Sequence, residues 1–594
     1  MTHQEKVEFE RMRPEEIVAA RTRGPVVFLP VAPLEWHGPH LPLGTDGLLA
    51  HHVAVRAARE TGGAVLPTIF VGTDSLRPAG REPQGLGALG IDEDVRVVGM
   101  DLPGFPVKSL YYHETVLGTV VREAVRILKR EPWSLIVLIN GHGGPNHKRM
   151  LQRIAQEETL PSTAEVIYAQ SWVQEEGFDA GHADRFEASI VMALEPDLVH
   201  IDRLPAPGTP LVYRDFGVVN GAAFDGHPCE GFAVPESADP RLSSLQEGQA
   251  LVDASVSALI DLVTARLAAA SGTAAPASRE TGAASPEAGA ASPDTDTVSQ
   301  TAGATTEAAG AQEGVETVPV QFERMTPEEV VAARERGSVV FLPVGPLEWH
   351  GPHLPLGTDG LAPHHAAVRA ARETGGVVLP PMFVGTDSLR PPGFEPQGLA
   401  ALGIDEDVRV LGMDLPGFPV RSLYYHETVL GAVIRETVRL LQREWALIVI
   451  VNGHGGPNHR RMLERIAQEE TLPSSEVLYT PSSVPDQSLD PGHADRTEAS
   501  RMMALEPGLV RVDRLPARDA PLRYREFGVV NGAAFDGHPC EGFAVPDNAD
   551  PRLSSPEEGQ TLVDASVRGL VDLVNHRLAA TAGAPTPTTR EPQP

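Results

Sequence analysis

Two short segments carry side chains of the kinds that bind metal ions. Glu35 and His37 are two residues apart, so in an extended segment both point the same way, as ligands of a shared metal must. Asp46 follows after a Pro- and Gly-rich loop that could fold back onto this pair. His142 lies among glycines, which let the backbone approach a ligand closely. Carboxylate and imidazole groups without thiolates suit Zn²⁺, Mn²⁺ or Fe²⁺.

Each of these side chains also has a purely structural interpretation. The Glu-x-His pair could form a loop salt bridge or a helix cap, Asp46 could cap the helix that follows it, and His142 could cap the next helix. A third polar segment, with His182 and Glu187, begins a further helix. Together the three clusters favour a metal site, while the structural alternatives stay open.

The clusters follow apolar segments that predict a parallel sheet. Residues 26–31 and 135–140 are continuous apolar runs, typical of strands buried on both faces. Helical spacing recurs at 13–24, 47–61 and 115–129. This alternation predicts an α/β domain, a class in which ligands gather beyond the carboxyl ends of the strands.

The chain contains this arrangement twice. Gly24–Leu48 and Gly337–Leu361 agree at 23 of 25 positions, which indicates a duplicated domain. The segment between the copies has no aromatic residue, Leu or Ile, so it cannot bury enough apolar surface to fold. We therefore predict, in chain order, a first domain (1–267), a disordered linker (268–316), a second domain (317–580) and a disordered tail (581–594).

Composition narrows the class of protein. The 594 residues include 49 basic and 80 acidic side chains, a formal net charge of −31, which argues against binding to nucleic acid or an anionic membrane. Two cysteines cannot form a disulfide framework. The first residues are charged and no run of 18 apolar residues occurs, so we predict a cytoplasmic protein without a membrane partner.

Longer motifs resemble those of a known family. EWHGPHLPLGTD, NGHGGPN and HADRFEAS, with ADPRLSSLQEGQALVDASV at 238–256, resemble in order and spacing the signatures of the creatininase (creatinine amidohydrolase) family. The resemblance covers about residues 8–266 and 321–578. It implies a three-layer α/β sandwich with a mainly parallel central sheet, and a two-metal centre that often holds Zn²⁺ or Mn²⁺. A small-molecule substrate and self-association of the domains are also implied.

The resemblance further implies a role for each candidate. Asp46 would bridge two metal ions and His182 would shuttle protons, while the remaining ligands would be Glu35, His37, His142 and Glu187. In the second copy His493 would be the shuttle, and the ligands would be Glu348, His350, Asp359, His454 and Glu498.

One position departs from the creatinine-cleaving members. They carry a Glu two residues after the histidine of the NGH motif, where this chain has Gly144 and Gly456. The motif resembles the NGHGG branch, in which the glutamate of the HA-x-x-x-E segment coordinates the metal. The departure puts creatinine in doubt as the substrate.

The implied chemistry is hydrolysis of a cyclic amide or related C–N bond. Two metal ions would lower the pKa of a bridging water, and the resulting hydroxide would attack the carbonyl group. An alternative is hydrolytic ring opening of a cyclic polyol ketone of the inosose type. Another alternative is a metal-binding scaffold without activity. Since neither copy lacks a proposed ligand, we expect both copies to be competent.

Further polar residues have open roles. His113 and His426 could contact substrate or form a salt bridge where a helix starts. Cys229 and Cys540 could be nucleophiles or inert buried thiols.

The copies differ close to the proposed proton shuttle. Phe186 is replaced by Thr497, and Ile190 by Arg501. If these residues line the pocket, the two halves differ in substrate preference.

Overall fold

The structure is a computed structural model. It describes residues 6–73, 105–160, 163–173, 181–211, 236–270, 318–386, 388–389, 410–411, 413, 418–482, 492–520, 522 and 547–582. Cys229 and Cys540, and most of the predicted linker and tail, lie outside these residues.

The first half is built on a parallel sheet with the order β2-β1-β3-β4. The strands are β1 (Val26–Val31), β2 (Ala64–Val65), β3 (Leu135–Asn140) and β4 (Glu165–Gln170). The two central strands, β1 and β3, are buried at every position, as their continuous apolar sequences predict. They pair in register from Val26–Leu135 to Val31–Asn140, so both end at the same edge of the sheet.

Helices cover both faces of this sheet. Their bounds are α1 Pro14–Arg23, α2 Thr45–Thr61, α3 Glu114–Leu128, α4 Pro145–Glu158, α5 Arg185–Leu194 and α6 Leu245–Ala270. Apolar side chains of α2, α5 and α6 share one buried cluster, and those of α1, α3 and α4 share another. The predicted three-layer α/β sandwich is confirmed.

The second half repeats these elements. The strands of its main sheet are β5 Val339–Val344, β6 Val377–Val378, β9 Leu447–Asn452 and β10 Glu476–Pro481. They lie in the order β10-β9-β5-β6. Two further strands, β7 Ser388–Leu389 and β8 Val410–Leu411, form a separate antiparallel pair. Its helices are α7 Pro327–Arg336, α8 Thr358–Thr374, α9 Glu427–Leu441, α10 Pro457–Glu470, α11 Arg496–Leu505 and α12 Pro556–Ala582.

The two halves pack against each other. A single buried apolar cluster contains side chains of both, among them Phe9 and Phe322. Helices α3 and α9 are in contact, and the hydroxyl groups of Tyr112 and Thr437 are hydrogen-bonded at 2.8 Å across the interface. The tandem copies therefore form one packed pair.

Short 3₁₀ turns precede α1 and α7. They span Phe9–Arg11 and Phe322–Arg324, and both have the sequence FER. We call them the FER turns. Among the described helices, none is both long and apolar enough to cross a lipid bilayer.

Candidate metal centre

Glu35 and His37 lie in the segment that follows β1. The backbone N–H of Glu35 donates to Leu43 O at 2.8 Å, which holds the segment against the loop before α2. His37 donates from Nδ1 to Glu35 O at 3.0 Å, so its Nε2 faces the interior of the site. Both side chains are buried. A backbone partner on one ring nitrogen, with the other nitrogen left for a cation, is typical of metal-binding histidines.

Asp46 lies between two histidines. It is the second residue of α2, and Gly44, not Asp46, precedes the helix as its N-cap. Its Oδ1 is 3.1 Å from His37 Nε2, and its Oδ2 is 2.9 Å from His142 Nδ1. The capping interpretation of Asp46 is therefore wrong, because its carboxylate faces the site and presents one oxygen to each imidazole.

His142 comes from the loop after β3. Asn140, the last residue of that strand, accepts from His142 N at 3.0 Å and donates to His142 O at 2.7 Å, so it fixes the turn. Gly141 is required because a Cβ there would lie 2.2 Å from Asp46 O. Gly144, not His142, is the N-cap of α4, so the capping interpretation of His142 is also wrong.

Glu187 supplies the third carboxylate from the first turn of α5. Its Oε2 is 3.7 Å from His37 Nε2 and accepts from Ala183 N at 2.5 Å. A Cβ at position 144 would lie 2.4 Å from His142 Nε2. The absence of a side chain at Gly144 thus leaves room for the His142 ring, and the carboxylate comes from α5 instead.

His182 lies beside this cluster. Its ring centroid is 4.4 Å from that of His37, and its Nε2 donates to Trp36 O at 2.6 Å. The next residue, Ala183, has a φ of 50°, a conformation that a non-glycine residue rarely adopts. Such backbone strain is often found at functional sites, where the surrounding structure holds it in place.

The carboxylates dominate the electrostatics. Burial opposes protonation of His37, but Asp46, Glu187 and Glu35 outweigh it and raise the pKa of His37 to about 10. Burial, together with the nearby Asp46 charge, raises the pKa of Glu187 to about 8. Burial and the charge of His37 lower the pKa of His182 to about 4. The pocket therefore favours positive charge at its centre.

The arrangement fits divalent cations. Glu35, Asp46 and His142 form one group whose ligand atoms lie within 4.8 Å of one another, and His37, Asp46 and Glu187 form another. Buried Glu35 Oε2 has no hydrogen bond, although it lies 3.0 Å from His142 Nδ1. The single N–H at His142 Nδ1 cannot donate a full hydrogen bond to both Glu35 Oε2 and the Asp46 carboxylate, whereas a cation could bind both carboxylates.

The second half repeats the geometry. Asp359 Oδ1 is 3.0 Å from His350 Nε2 and its Oδ2 is 2.9 Å from His454 Nδ1. Glu498 Oε2 is 3.6 Å from His350 Nε2. The remaining members also take equivalent positions: Glu348 lies 3.0 Å from His454, and His493 Nε2 donates to Trp349 O at 2.7 Å.

Some residues that contact the proposed ligands were not among the predicted site residues. The hydroxyl of Tyr111 donates to Glu35 Oε1, and that of Tyr424 donates to Glu348 Oε1. Asn140 was not predicted either. The repetition of Tyr111 in both copies was a usable signal, but only folding shows that it reaches Glu35.

His113 lies outside the cluster. It is exposed and is the N-cap of α3, where its Nδ1 accepts from Thr115 N at 3.3 Å. His426 caps α9 in the same way. Both histidines therefore have a structural role as caps.

The two halves differ on the helix that carries the third carboxylate. Phe186 and Ile190 are buried in an apolar cluster, with Trp172 packed against it. In the second half the corresponding residues of α11 are Thr497 and Arg501. Buried Nε of Arg501 has no hydrogen-bond partner among the described residues.

Relatives were found by comparison of sequences. The chain is 24% identical over 259 residues to creatinine amidohydrolase of Pseudomonas putida, covering 40% of this chain and 88% of the relative. It is 29% identical over 251 residues to mycofactocin precursor peptide peptidase of Mycolicibacterium smegmatis, covering 40% and 84%. It is 27% identical over 186 residues, 31% of this chain and 64% of the relative, to a 2-amino-5-formylamino-6-ribosylaminopyrimidin-4(3H)-one 5'-monophosphate deformylase of Methanothermobacter thermautotrophicus.

Among solved structures, one described as "Creatininase Mn" is 22% identical to this chain. The likeness covers 43% of this chain and 97% of that one, with a TM-score of 0.31.

The family model described as creatinine amidohydrolase matches residues 10–263, 323–395 and 413–574. These ranges make up more than half of the chain and fall in both halves. The matched halves contain the clusters described above, including both NGHGG motifs. The chain therefore belongs to the creatininase family, as a tandem duplicated, metal-dependent hydrolase of amide bonds.

Proposed function

We propose that each half holds two divalent metal ions and hydrolyses a cyclic amide or a related C–N bond. One ion would lie between His37, Asp46 and Glu187, and the other between Glu35, Asp46 and His142. The observation that carries this proposal is the position of Asp46, whose two oxygens face different histidines at 3.1 and 2.9 Å. Zn²⁺ and Mn²⁺ both accept such carboxylate and imidazole ligands.

In the second half the ligands would be Glu348, His350, Asp359, His454 and Glu498. Bound divalent ions supply Lewis-acid polarisation of a carbonyl group and lower the pKa of water. The chain itself supplies the orientation of the ligands; in the first half it does so through Tyr111, Asn140 and the backbone N–H of Ala183.

His182 and its counterpart His493 would move the proton. Hydrolysis of an amide transfers one proton from the attacking water to the leaving nitrogen, and a neutral imidazole can accept and then donate it. Because His182 Nε2 donates to Trp36 O, the lone pair is on Nδ1. In the second half, His493 Nδ1 lies 3.9 Å from Glu348 Oε2, on the side of the cluster. Burial lowers the pKa of His182, which favours the neutral ring.

The relatives favour C–N bonds as the substrate class. Their names describe an amidohydrolase, a deformylase and a peptide peptidase. In the creatinine-cleaving members a Glu stands two residues after the histidine of the NGH motif. Here that position is Gly144, and the carboxylate is supplied by Glu187 of α5 instead. We therefore propose a cyclic amide or formamide other than creatinine.

The test separates metal binding from catalysis. Asp46→Asn and Asp359→Asn are compared singly and together for bound metal and for turnover of lactams, formamides and an inosose. We expect each single variant to lose metal from one half and to keep part of the activity, and the double variant to lose both. His182→Gln with His493→Gln should lower kcat by about 10²-fold or more with metal retained.

An exposed-histidine variant, His113→Gln with His426→Gln, is the matched control and should leave kcat unchanged. Full metal content and activity in the double aspartate variant would contradict the proposed centres. If the inosose alone is turned over, the reaction is ring opening of a polyol ketone and not hydrolysis of a C–N bond. If no substrate is turned over, a metal-binding scaffold without activity is favoured.

A further inference from the structure

Each FER turn contacts the ligand-bearing loop of the opposite half. Leu43 N donates to Met325 O and Gly44 N donates to Glu323 O, both at 3.0 Å. In the other direction, Gly357 N donates to Glu10 O at 2.9 Å and Leu356 N donates to Met12 O, the residue after the turn, at 3.1 Å. The loop before α2 is therefore hydrogen-bonded to a segment of the opposite half that is about 280 residues away in the chain.

This loop connects two of the proposed ligands. Leu43 O accepts from the N–H of Glu35 at 2.8 Å, and Asp46 follows Gly44 by two residues. The contact is close, because a Cβ at Gly44 would lie 2.4 Å from Glu323 O. The spacing between Glu35 and Asp46 thus depends on a loop that the other half holds.

An arginine of the same turn holds the helix that carries Glu187. Arg324 donates to both carboxylate oxygens of Glu195, at 3.1 and 3.0 Å. Glu195 directly follows α5 and also lies 3.1 Å from Nε2 of His52 on α2. Through Glu195, Arg324 is therefore linked to the C-terminal end of α5 and to the middle of α2, and each of these helices contributes a proposed ligand.

The reciprocal contact has the same form. Arg11 donates to both oxygens of Glu506, at 3.0 and 2.7 Å, and His365 Nε2 lies 3.1 Å from that carboxylate. Bidentate arginine–carboxylate pairs fix orientation as well as distance. The side chains of Arg324 and Glu195 are 31% and 19% exposed, so water screens the pair only in part.

We infer that the FER turn of each half positions the metal ligands of the other half, so that each centre depends on an arginine from the opposite copy. Arg324 serves the first centre and Arg11 serves the second. The inference rests on the proposed ligands, and its distinguishing feature is that the dependence is crossed. An arginine that acted only on general stability would affect both centres alike.

The experiment uses the full chain with one centre disabled. His350→Asn with Asp359→Asn leaves only the first centre, and its affinity for Zn²⁺ and Mn²⁺ is measured by competition with a chromophoric chelator. In this background we expect Arg324→Ala to weaken binding by about fivefold to tenfold and Arg11→Ala to change it little. The ranking should reverse when His37→Asn with Asp46→Asn leaves only the second centre.

Arg11→Ala and Arg324→Ala are matched controls, because each removes an equivalent pair between the halves. Thermal midpoints of the metal-free variants should fall equally. The charge exchange Arg324→Glu with Glu195→Arg should restore part of the affinity of the first centre.

Equal effects of the two alanine variants on the remaining centre, or no effect of either, would overturn the inference while the centres themselves stand. Unchanged metal binding when both centres are disabled would instead overturn the proposed ligands. The two failures are therefore distinguishable.

Discussion

At position 501 the second half carries a guanidinium group where the first half carries buried Ile190. Arg501 follows Glu498 by three residues on α11, so the two side chains share a face of the helix. Burial lowers the pKa of Arg501, and the charges of Glu498 and Asp495 oppose that effect. A positive group held next to a proposed ligand disfavours a cation there.

We predict that Arg501→Ile raises the affinity of the second centre for divalent metal. Removing a repulsion of about 1–2 kcal/mol corresponds to about tenfold in affinity. Chelator competition, with the first centre disabled, measures the change. Arg460→Ile, on an exposed helical position, is the control and should leave the affinity as it was. An unchanged affinity in Arg501→Ile would refute the prediction.

The FER turns also carry buried acids. The side chains of Glu10 and Glu323 are buried, and an oxygen of each lacks a hydrogen-bond partner among the described residues. Burial, with a contribution from the Glu8 charge, raises the pKa of Glu10 to about 7. Burial raises the pKa of Glu323 to about 7 as well. These turns therefore hold neutral carboxyl groups at mildly acidic pH.

The sign of the pH effect follows from this raised pKa. The folded chain binds more protons than the unfolded chain between about pH 4.5 and 7, so the free energy of unfolding falls as pH rises through that window. We predict that Glu10→Gln with Glu323→Gln stabilises the chain at pH 8, on the order of 2 kcal/mol per site.

Denaturant unfolding of wild type and variant between about pH 5 and about pH 8 measures the effect. The advantage of the variant should shrink towards pH 5. Exposed Glu60→Gln is the control and should show no such trend. An advantage of the Gln variant that is independent of pH would contradict the assigned cause.

At the scale of the whole molecule, one core spans both halves. The shared cluster joins the faces of α3 and α9, and the FER turns exchange backbone hydrogen bonds in both directions. The domain boundaries stay a prediction, although α6 extends to Ala270, three residues beyond the predicted end of the first domain.

We predict that the halves unfold together. A protease site engineered between residues 270 and 318 should, after cleavage, leave the two halves in one particle, because buried apolar contacts hold them. Size-exclusion chromatography and calorimetry measure this, with uncut protein as the reference. Two separate particles, or two resolved thermal transitions, would show that the halves are independent.

Local patterns explain which parts were predictable from sequence. The continuous apolar runs of β1 and β3 gave their bounds to the residue, because strands buried on both faces need apolar side chains throughout. Glu35, His37, Asp46 and His142 could be grouped because parallel strands end at a common edge. Glu187 was assigned only through the family resemblance.

Other features depend on contacts between distant segments. Tyr111 reaches Glu35 through the tertiary structure, and no spacing rule connects the two. The ion pair between Arg324 and Glu195 joins opposite halves, so the sequence of one copy alone cannot predict it. The backbone of Ala183 has a φ of 50°. The sequence does not indicate this conformation, because alanine disfavours it.

The crossed arrangement of the FER turns has an evolutionary consequence. After a duplication, a copy that has lost its own function is usually free to accumulate substitutions. Here a half whose metal ligands had decayed would still supply Arg324, or Arg11, and the carbonyl groups that hold the surviving centre. Selection on one centre would thus preserve the turn in the other copy, so the duplicated gene would retain both halves even with a single working site.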